Sequence, residues 1–154
     1  MKIPIVDENN NIIYYKERSE TEKGEICRAA GVWITDDEGN ILLSQRSLSK
    51  TYSPGEWGPA AGGVVEEGET YESCVIRETE EEIGLKNIKP KPGFNKKYDD
   101  CFSQFYFLVL PKGFNDFKIQ EEEVFQVKWF SRDELLKNIN ENPGIFFNGI
   151  KDLI

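Results

Sequence analysis

Gly63-Val-Val-Glu-Glu-Gly-Glu-Thr-Tyr-Glu-Ser-Cys-Val-Ile-Arg-Glu-Thr-Glu-Glu-Glu-Ile-Gly-Leu85 is the stretch of this 154-residue chain that indicates both its fold and its chemistry. Thr70 is a suitable N-cap and Gly84 a suitable C-terminal stop, so the stretch predicts a helix that spans Tyr71–Ile83. At about 100° per residue, the residues that face the core share one narrow arc of the helix: Val75, Ile76, Thr79 and Ile83.

The same helix carries three glutamates, Glu78, Glu81 and Glu82, on a neighbouring arc with no basic residue among them. Two carboxylates at about 4 Å repel by roughly 4 kcal/mol at an effective dielectric constant near 20. A divalent cation would replace that repulsion with coordination, which points to phosphate chemistry. A solvated acidic helix face is the alternative interpretation.

Composition narrows the classes of function. A hydrophobic fraction of 38% is typical of a globular protein, and the formal charge of −9 argues against nucleic-acid or membrane partners. A small phosphorylated substrate stays compatible with this charge if a metal ion is bound. The chain has no histidine, so the available ligands are oxygen atoms, which favour Mg²⁺ or Mn²⁺.

Cysteine usage and the lack of a targeting signal predict a cytoplasmic protein. Cys27, Cys74 and Cys101 are odd in number and have no CxxC spacing, so they are expected to be reduced, buried thiols. The N-terminus has no signal-peptide core, and no apolar run is long enough to span a membrane. The sequence leaves a homodimer open.

Strand and turn patterns predict a mixed sheet with helices packed on it. The expected elements are a first hairpin, a second hairpin, a short strand, the helix above, four further strands, a second helix that Ser131 opens with a capping box, and a last short helix. In order these are Ile3–Val6 with Ile12–Tyr15, Cys27–Thr35 with Ile41–Gln45, Gly63–Val65, Tyr71–Ile83, a strand near Ile88, Lys96–Asp99, Ser103–Leu110, Val124–Phe130, Asp133–Ile139 and Ile145–Leu153.

The spacing of the opening stretch resembles the Nudix box, and the chain is identified as similar to the Nudix hydrolase family. Three further segments carry the resemblance, which covers roughly residues 28–135: Ile41–Arg46, the Pro54-Gly55-Glu-Trp57 loop and Val127–Leu135. Thr79 departs from the family pattern, which usually has an aliphatic residue there. The resemblance implies an α/β fold, the Nudix α/β/α sandwich, whose mixed β-sheet has helices on both faces. We expect one domain, with residues 1–26 as an N-terminal hairpin extension and 27–154 as the core.

The resemblance also implies a set of site residues. Gly63, through its carbonyl, Glu78, Glu81 and Glu82 would hold the metal, and Arg77 would fix the helix geometry by pairing with carboxylates. Glu69 would support the loop before the helix. The implied reaction is attack of a metal-activated water on phosphorus in a diphosphate linkage.

The general base stays open, because some family members use a glutamate of the box and others one from a later loop. Glu81 is the candidate within the box. Glu122 and Glu123 are the later candidates, and the alternative is that they belong to a charged loop beside an aromatic strand.

Candidate substrate contacts lie near predicted strand ends. Arg28 and Arg46 are the basic residues that we expect to contact phosphate. Tyr98 and Phe105 could line a nucleobase pocket, or they could simply pack the sheet.

The predicted function is Mg²⁺-dependent hydrolysis of a diphosphate linkage in a nucleoside diphosphate derivative, either a nucleoside di- or triphosphate or a nucleoside diphosphate linked to another group. Two alternatives are kept. The N-terminal segment around Lys16–Ser19 resembles isopentenyl-diphosphate isomerases and related Nudix hydrolases, but the isomerase cysteine and histidines are missing. A catalytically inactive nucleotide-binding regulatory module is the second alternative.

Overall fold

The computed structural model describes all 154 residues, and its regular elements are nine strands and two α-helices. The strands are β1 Lys2–Val6, β2 Ile12–Glu17, β3 Cys27–Asp36, β4 Ile41–Arg46, β5 Trp57–Pro59, β6 Ala61–Val64, β7 Lys91–Tyr98, β8 Cys101–Leu110 and β9 Val124–Phe130. The helices are α1 Tyr71–Ile83 and α2 Arg132–Glu141, and short 3₁₀ turns cover Arg18–Glu20, Pro143–Ile145 and Ile150–Asp152. Neither helix is long and apolar enough to cross a membrane.

Seven of the strands form one mixed sheet in which β3 is central. Its main path runs β5-β4-β3-β8-β7, and β6 pairs with β3 while β9 pairs with β4. The pairing of β3 with β8 is parallel and the other pairings are antiparallel. Along one edge of β3, residues 29–32 pair with β6 and residues 34–35 pair with β4, so β4 and β6 diverge beside it.

Alternation along β3 sends side chains to two separate cores, one on each face of the sheet. Val32 and Ile34 are fully buried against α1, whose Val75 and Ile83 belong to the same cluster. Trp33 points to the opposite face, in the cluster that also contains Leu135 and Ile139 of α2. The predicted α/β/α sandwich with a mixed sheet is thereby confirmed.

Most predicted elements are confirmed, and three are corrected. The strand near Ile88 is wrong: that region is irregular, and β7 begins instead at Lys91 and includes Pro92. Pro92 is tolerated because β7 is the edge strand and its register shifts between Pro92 and Asn95. The short strand β5 was not predicted, and the expected last helix consists of two 3₁₀ turns.

The prediction of three reduced cysteines is wrong for two of them. Cys27 and Cys101 form a disulfide, and Cys74 is free and buried. Cys27 and Cys101 are register partners at the start of β3 and β8, with their Cα atoms 4.5 Å apart. A separation of 74 residues in the chain gave no spacing signal for this pairing.

The N-terminal hairpin of β1 and β2 is a separate two-stranded sheet that is fastened to the main body. Ile3, Ile5 and Val6 are buried, and the Glu67 N–H donates to the Lys2 carbonyl at 2.9 Å. Glu25 accepts hydrogen bonds from Lys16, from Tyr14 and from a backbone N–H, and these bonds lower its pKa to about 2. The turn that follows the hairpin is therefore held in a defined position.

Candidate active site

Helix α1 is capped at both ends as its sequence predicts. The Thr70 hydroxyl accepts a hydrogen bond from the Ser73 N–H, and the Ser73 hydroxyl accepts one from the Thr70 N–H, each at 3.0 Å. Gly84 ends the helix in the left-handed conformation with a φ of 77°. Thr79 is fully buried, and its hydroxyl donates to the Val75 carbonyl at 2.6 Å, so it fits the core-facing stripe. These caps fix the rotation at which α1 presents its glutamates.

Arg77 neutralises part of the acidic cluster. Its guanidinium binds Glu69 through two hydrogen bonds, Nε to Oε2 at 2.7 Å and Nη2 to Oε1 at 2.9 Å. Its Nη1 also donates to Glu78 at 2.9 Å and to Glu81 at 3.2 Å. Arg77 thus pairs with carboxylates as the resemblance implies, and Glu78 and Glu81 share this arginine.

Glu82 has no basic partner within ion-pair distance. Its Oε1 accepts a hydrogen bond from the Gly62 N–H at 2.8 Å. Its pKa is raised to about 8, mainly by burial and also by the charges of Glu78 and Glu123, while the Gly62 hydrogen bond and Arg46 oppose the shift. Glu82 is thus the carboxylate with the largest uncompensated cost of ionisation.

Glu78 lies directly against the backbone of β6. Burial raises its pKa in spite of the adjacent Arg77, and Glu81 and Glu123 add to the rise. A Cβ at Gly63 would lie 2.6 Å from the Glu78 Cδ atom, so only glycine allows this approach. The carboxylate and the backbone of the glycine pair are therefore packed together.

A pocket of about 300 Å³ opens beside these groups. We call it the inner pocket; Gly62, Gly63 and Glu82 line it, together with residues of β3, β4 and β5. Glu123, from the loop before β9, lines the same pocket and pairs with Lys50 at 2.7 Å. Carboxylates from a helix and from a distant loop thus meet at one cavity.

The donor set fits a hard divalent cation. Glu78, Glu82 and Glu123 lie close enough for each of the first two to have its pKa raised by the third, so a positive ion here would be strongly favoured. No group of three or more acidic or cysteine side chains is arranged to hold a metal ion by itself. Mg²⁺ commonly binds through one or two carboxylates and completes its shell with water and substrate phosphates, which this arrangement allows.

Five of the predicted site residues line the inner pocket. Four of them are Gly63, Arg46, Phe105 and Glu82, and Glu78 packs behind Gly63. Glu123 also lines it, whereas its neighbour Glu122 is exposed and lies outside. Of the two later glutamates, only Glu123 is placed to act in the pocket.

The remaining predicted residues lie elsewhere. Arg77 and Glu81 are outside the inner pocket, and the Glu81 side chain is 51% exposed. Arg28 hydrogen-bonds to Asn10 and stacks over Tyr71, so it joins the hairpin to α1. The contacts of Arg28 and Arg77 indicate structural roles for these two arginines.

Tyr98 is part of the core and not of the inner pocket. Its hydroxyl donates to Asp152 at 2.6 Å, and its ring packs edge-on against Phe105 and Phe147. The alternative that the sequence left open, packing of the sheet, describes Tyr98. Phe105 does both, since it is buried in the core and also lines the pocket.

Two charged pocket residues were missed by the sequence analysis. Arg18 lies in the 3₁₀ turn after the hairpin, and Glu56 lies in the Pro-Gly-x-Trp loop, where burial raises its pKa. The segment Lys16–Ser19 carries only a family resemblance in the sequence, because nothing local shows that it folds over a cavity lined mainly by later segments of the chain.

Comparison with known proteins identifies the family. Residues 25–148 match the NUDIX domain. The chain belongs to the Nudix hydrolase family. A Nudix hydrolase of Yersinia pestis is 32% identical over 142 residues, which are 90% of this chain and 78% of that protein. The Nudix hydrolase YfcD of Escherichia coli is 28% identical over 143 residues, 90% of this chain and 78% of its own length.

Solved structures share the Nudix fold. A Deinococcus radiodurans protein superimposes with a TM-score of 0.84 at 20% identity and covers 99% of this chain and 96% of its own. A MutT Nudix hydrolase of Burkholderia pseudomallei superimposes with a TM-score of 0.65 at 22% identity, covering 82% of this chain and 93% of its own. Since the family hydrolyses nucleoside diphosphate derivatives, this Nudix chain is a hydrolase that acts on small phosphorylated substrates.

Proposed function

We propose that this Nudix hydrolase carries out Mg²⁺- or Mn²⁺-dependent hydrolysis of a diphosphate linkage in a nucleoside diphosphate derivative. The observation that carries the proposal is that Glu82 and Glu123 line one pocket with the Gly62-Gly63 backbone, while Glu78 packs directly behind Gly63. A solvated acidic surface would not bury a carboxylate such as Glu82, whose pKa is raised to about 8 mainly by that burial.

Glu78 and Glu82, with Glu81 and the Gly63 carbonyl, would hold the metal. A divalent cation bound there would neutralise the phosphate oxygens and lower the pKa of a water molecule. The Arg77 Nη1 atom donates a hydrogen bond that keeps Glu78 in place. Two further hydrogen bonds from Arg77 to Glu69 tie the helix to the preceding loop. Arg46 lines the pocket and offers its guanidinium to phosphate.

Glu123 is the proposed general base. It lines the inner pocket, comes from a different element than the proposed metal ligands, and has Lys50 as its only ion-pair partner. That position allows it to accept a proton from water while Glu78 and Glu82 bind the metal.

Replacement of Glu123 by glutamine should lower kcat by about 10²-fold or more, because a positioned base contributes a factor of about 10²–10⁴. Glu122→Gln should cost less than threefold, since its side chain lies outside the pocket. Steady-state kinetics of both variants measure this. Equal losses in the two, or a larger loss in Glu122→Gln, would contradict the assignment of Glu123.

A hydrolysis screen tests the function itself. Purified protein would be incubated with nucleoside di- and triphosphates, nucleotide sugars and dinucleoside polyphosphates, with Mg²⁺, with Mn²⁺ and with a chelator, and products would be separated by chromatography. We expect cleavage at a diphosphate linkage that stops when the metal is chelated. Binding of nucleotides without any cleavage would favour an inactive regulatory module.

A further inference from the structure

A second and larger cavity adjoins the inner pocket. This outer cleft has a volume of about 1080 Å³ and lies between the segment of residues 17–25, the loop of residues 49–52 and the turn at 99–101. Arg18, Arg46 and Val64 line both cavities, so the two adjoin at these side chains. The wall of the outer cleft that contains Arg18 is contributed by the chain that follows the N-terminal hairpin.

The inner pocket is small for a whole nucleotide derivative. Sites for small organic ligands usually measure about 300–1000 Å³, and the inner pocket, at about 300 Å³, is at the bottom of that range. The outer cleft, which adjoins it at Arg18 and Arg46, offers space for the rest of a larger substrate.

Arg18 has a fixed backbone and a side chain without a carboxylate partner. Its N–H donates to the Met1 carbonyl at 2.9 Å, and its carbonyl accepts the Thr21 hydroxyl at 2.9 Å. No acidic group lies within ion-pair distance of its guanidinium, although the chain has 28 acidic and only 19 basic residues. In so acidic a protein, an arginine that faces a cavity without a partner is placed for an anionic ligand.

Arg46 is held in a similar way. Its Nε donates to the Tyr52 carbonyl at 3.0 Å, and it has no carboxylate within ion-pair distance, so its two terminal nitrogens are available. Two guanidinium groups thus border the junction between the cavities. A phosphate group that crosses the junction would contact both.

Exposed acidic residues that line the outer cleft restrict what lies beyond that phosphate. Glu25 is satisfied by Lys16 and Tyr14, but Asp99 and Asp100 have no side-chain partner. Their carboxylates would repel a further phosphate and would accept hydrogen bonds from hydroxyl groups. A ribose has such hydroxyl groups, and Tyr52, whose side chain is 81% exposed at the rim, offers a ring for a base to stack on.

We propose that the outer cleft binds the nucleoside part of the substrate, and that Arg18 and Arg46 bind the phosphate that joins this nucleoside to the linkage cleaved in the inner pocket. The proposal deepens the proposed function and rests on it for the direction of the substrate. Arg18 is then a specificity-determining residue, which a Nudix chain without this N-terminal turn would lack.

Binding experiments test the proposal without requiring turnover. The probes are ribonucleoside 5′-monophosphates and the matching nucleosides, titrated calorimetrically into wild type, Arg18→Gln and Arg132→Gln, with and without Mg²⁺. Arg132 is the matched control, because it is an exposed arginine at the start of α2 and lines neither cavity. Wild type should bind a monophosphate more tightly than its nucleoside.

Arg18→Gln should weaken monophosphate binding about tenfold and leave nucleoside binding within twofold. It should also raise KM about tenfold with kcat within threefold, because the lost interaction is present in both the ground state and the transition state. Arg132→Gln should match wild type. Identical behaviour of the two variants, or a wild type with no preference for the monophosphate, would overturn the proposal. Failure of hydrolysis in wild type, with these binding differences intact, would instead refute only the proposed function.

A second variant tests the cleft if Arg18→Gln does not fold. Ser19 lines the outer cleft and is exposed, so Ser19→Trp should fill part of the cavity without disturbing the core. We expect it to weaken binding of nucleosides and monophosphates alike by about tenfold. Unchanged binding of both probes in a folded Ser19→Trp protein would show that the nucleoside lies elsewhere.

Discussion

Glu82→Gln is expected to lower kcat/KM for metal-dependent hydrolysis by about 10³-fold, equivalent to about 4 kcal/mol of transition-state stabilisation. Glu82 is the proposed metal ligand with no basic partner, so the site has no other group that can take over its charge. The amide oxygen can still accept the Gly62 hydrogen bond, which keeps the local backbone in place. The loss should therefore come from chemistry and not from unfolding.

Glu80→Gln is the matched control, because Glu80 is on the exposed side of the same helix. It should retain activity within twofold. Without added metal, the melting temperature of Glu82→Gln should equal or exceed that of wild type, since a carboxylate whose ionisation is opposed by burial has been removed. Activity of Glu82→Gln within tenfold of wild type would remove Glu82 from the metal site.

The helix and its caps were the most predictable part of the fold. The bounds Tyr71–Ile83 follow from Thr70, from Gly84 and from the apolar spacing between them, all of which act within a few residues. Strands with strong alternation, such as Val124–Phe130, were predicted with the same success. Local physics determines these elements almost completely.

Pairings between distant strands could not be predicted. The parallel alignment of β3 with β8 brings Cys27 beside Cys101 across 74 residues, and no local pattern records it. The failed strand near Ile88 has a related cause. A sheet edge tolerates Pro92, and whether a segment lies at an edge depends on the tertiary topology.

In the candidate site, too, residues with a local sequence pattern could be predicted and residues positioned by distant packing could not. Glu78, Glu81 and Glu82 were found because they lie on one helix within a recognisable spacing. Glu123 was one of several equal candidates until the fold placed it at the inner pocket and left Glu122 outside. Arg18 gave no local signal at all, since its position depends on how the N-terminal hairpin packs.

The acidic cluster is also more differentiated than its sequence suggested. Arg77 binds two of the glutamates and leaves Glu82 without a cation. The need for a positive ion is therefore concentrated at the inner end of the cluster, beside the Gly62 N–H and the pocket. Arg77 thus offsets part of the negative charge of Glu78 and Glu81, whereas Glu82 has no such partner.

Replacing each of the two adjacent glycines of β6 by alanine should affect different properties, activity in one case and stability in the other. In Gly63→Ala, the new methyl group would overlap the Glu78 carboxyl group, with Cδ at 2.6 Å. That side chain can rotate away, so we expect a nearly unchanged melting temperature but a loss of kcat/KM of about 10²-fold, the usual cost of a misplaced catalytic group. Metal affinity, measured calorimetrically, should fall as well.

In Gly62→Ala, the methyl group would lie 2.6 Å from the Ala30 carbonyl oxygen and 3.0 Å from the Gly31 Cα atom. These are backbone atoms of β3, which cannot move without disturbing the pairing of β3 with β6, so we expect a loss of about 2–3 kcal/mol in the free energy of unfolding. Denaturant titration and kinetics on both variants separate the two effects. If Gly63→Ala lost stability and kept its activity, Glu78 would be a structural residue, and only Glu81 and Glu82 would remain as carboxylate ligands of the proposed metal site.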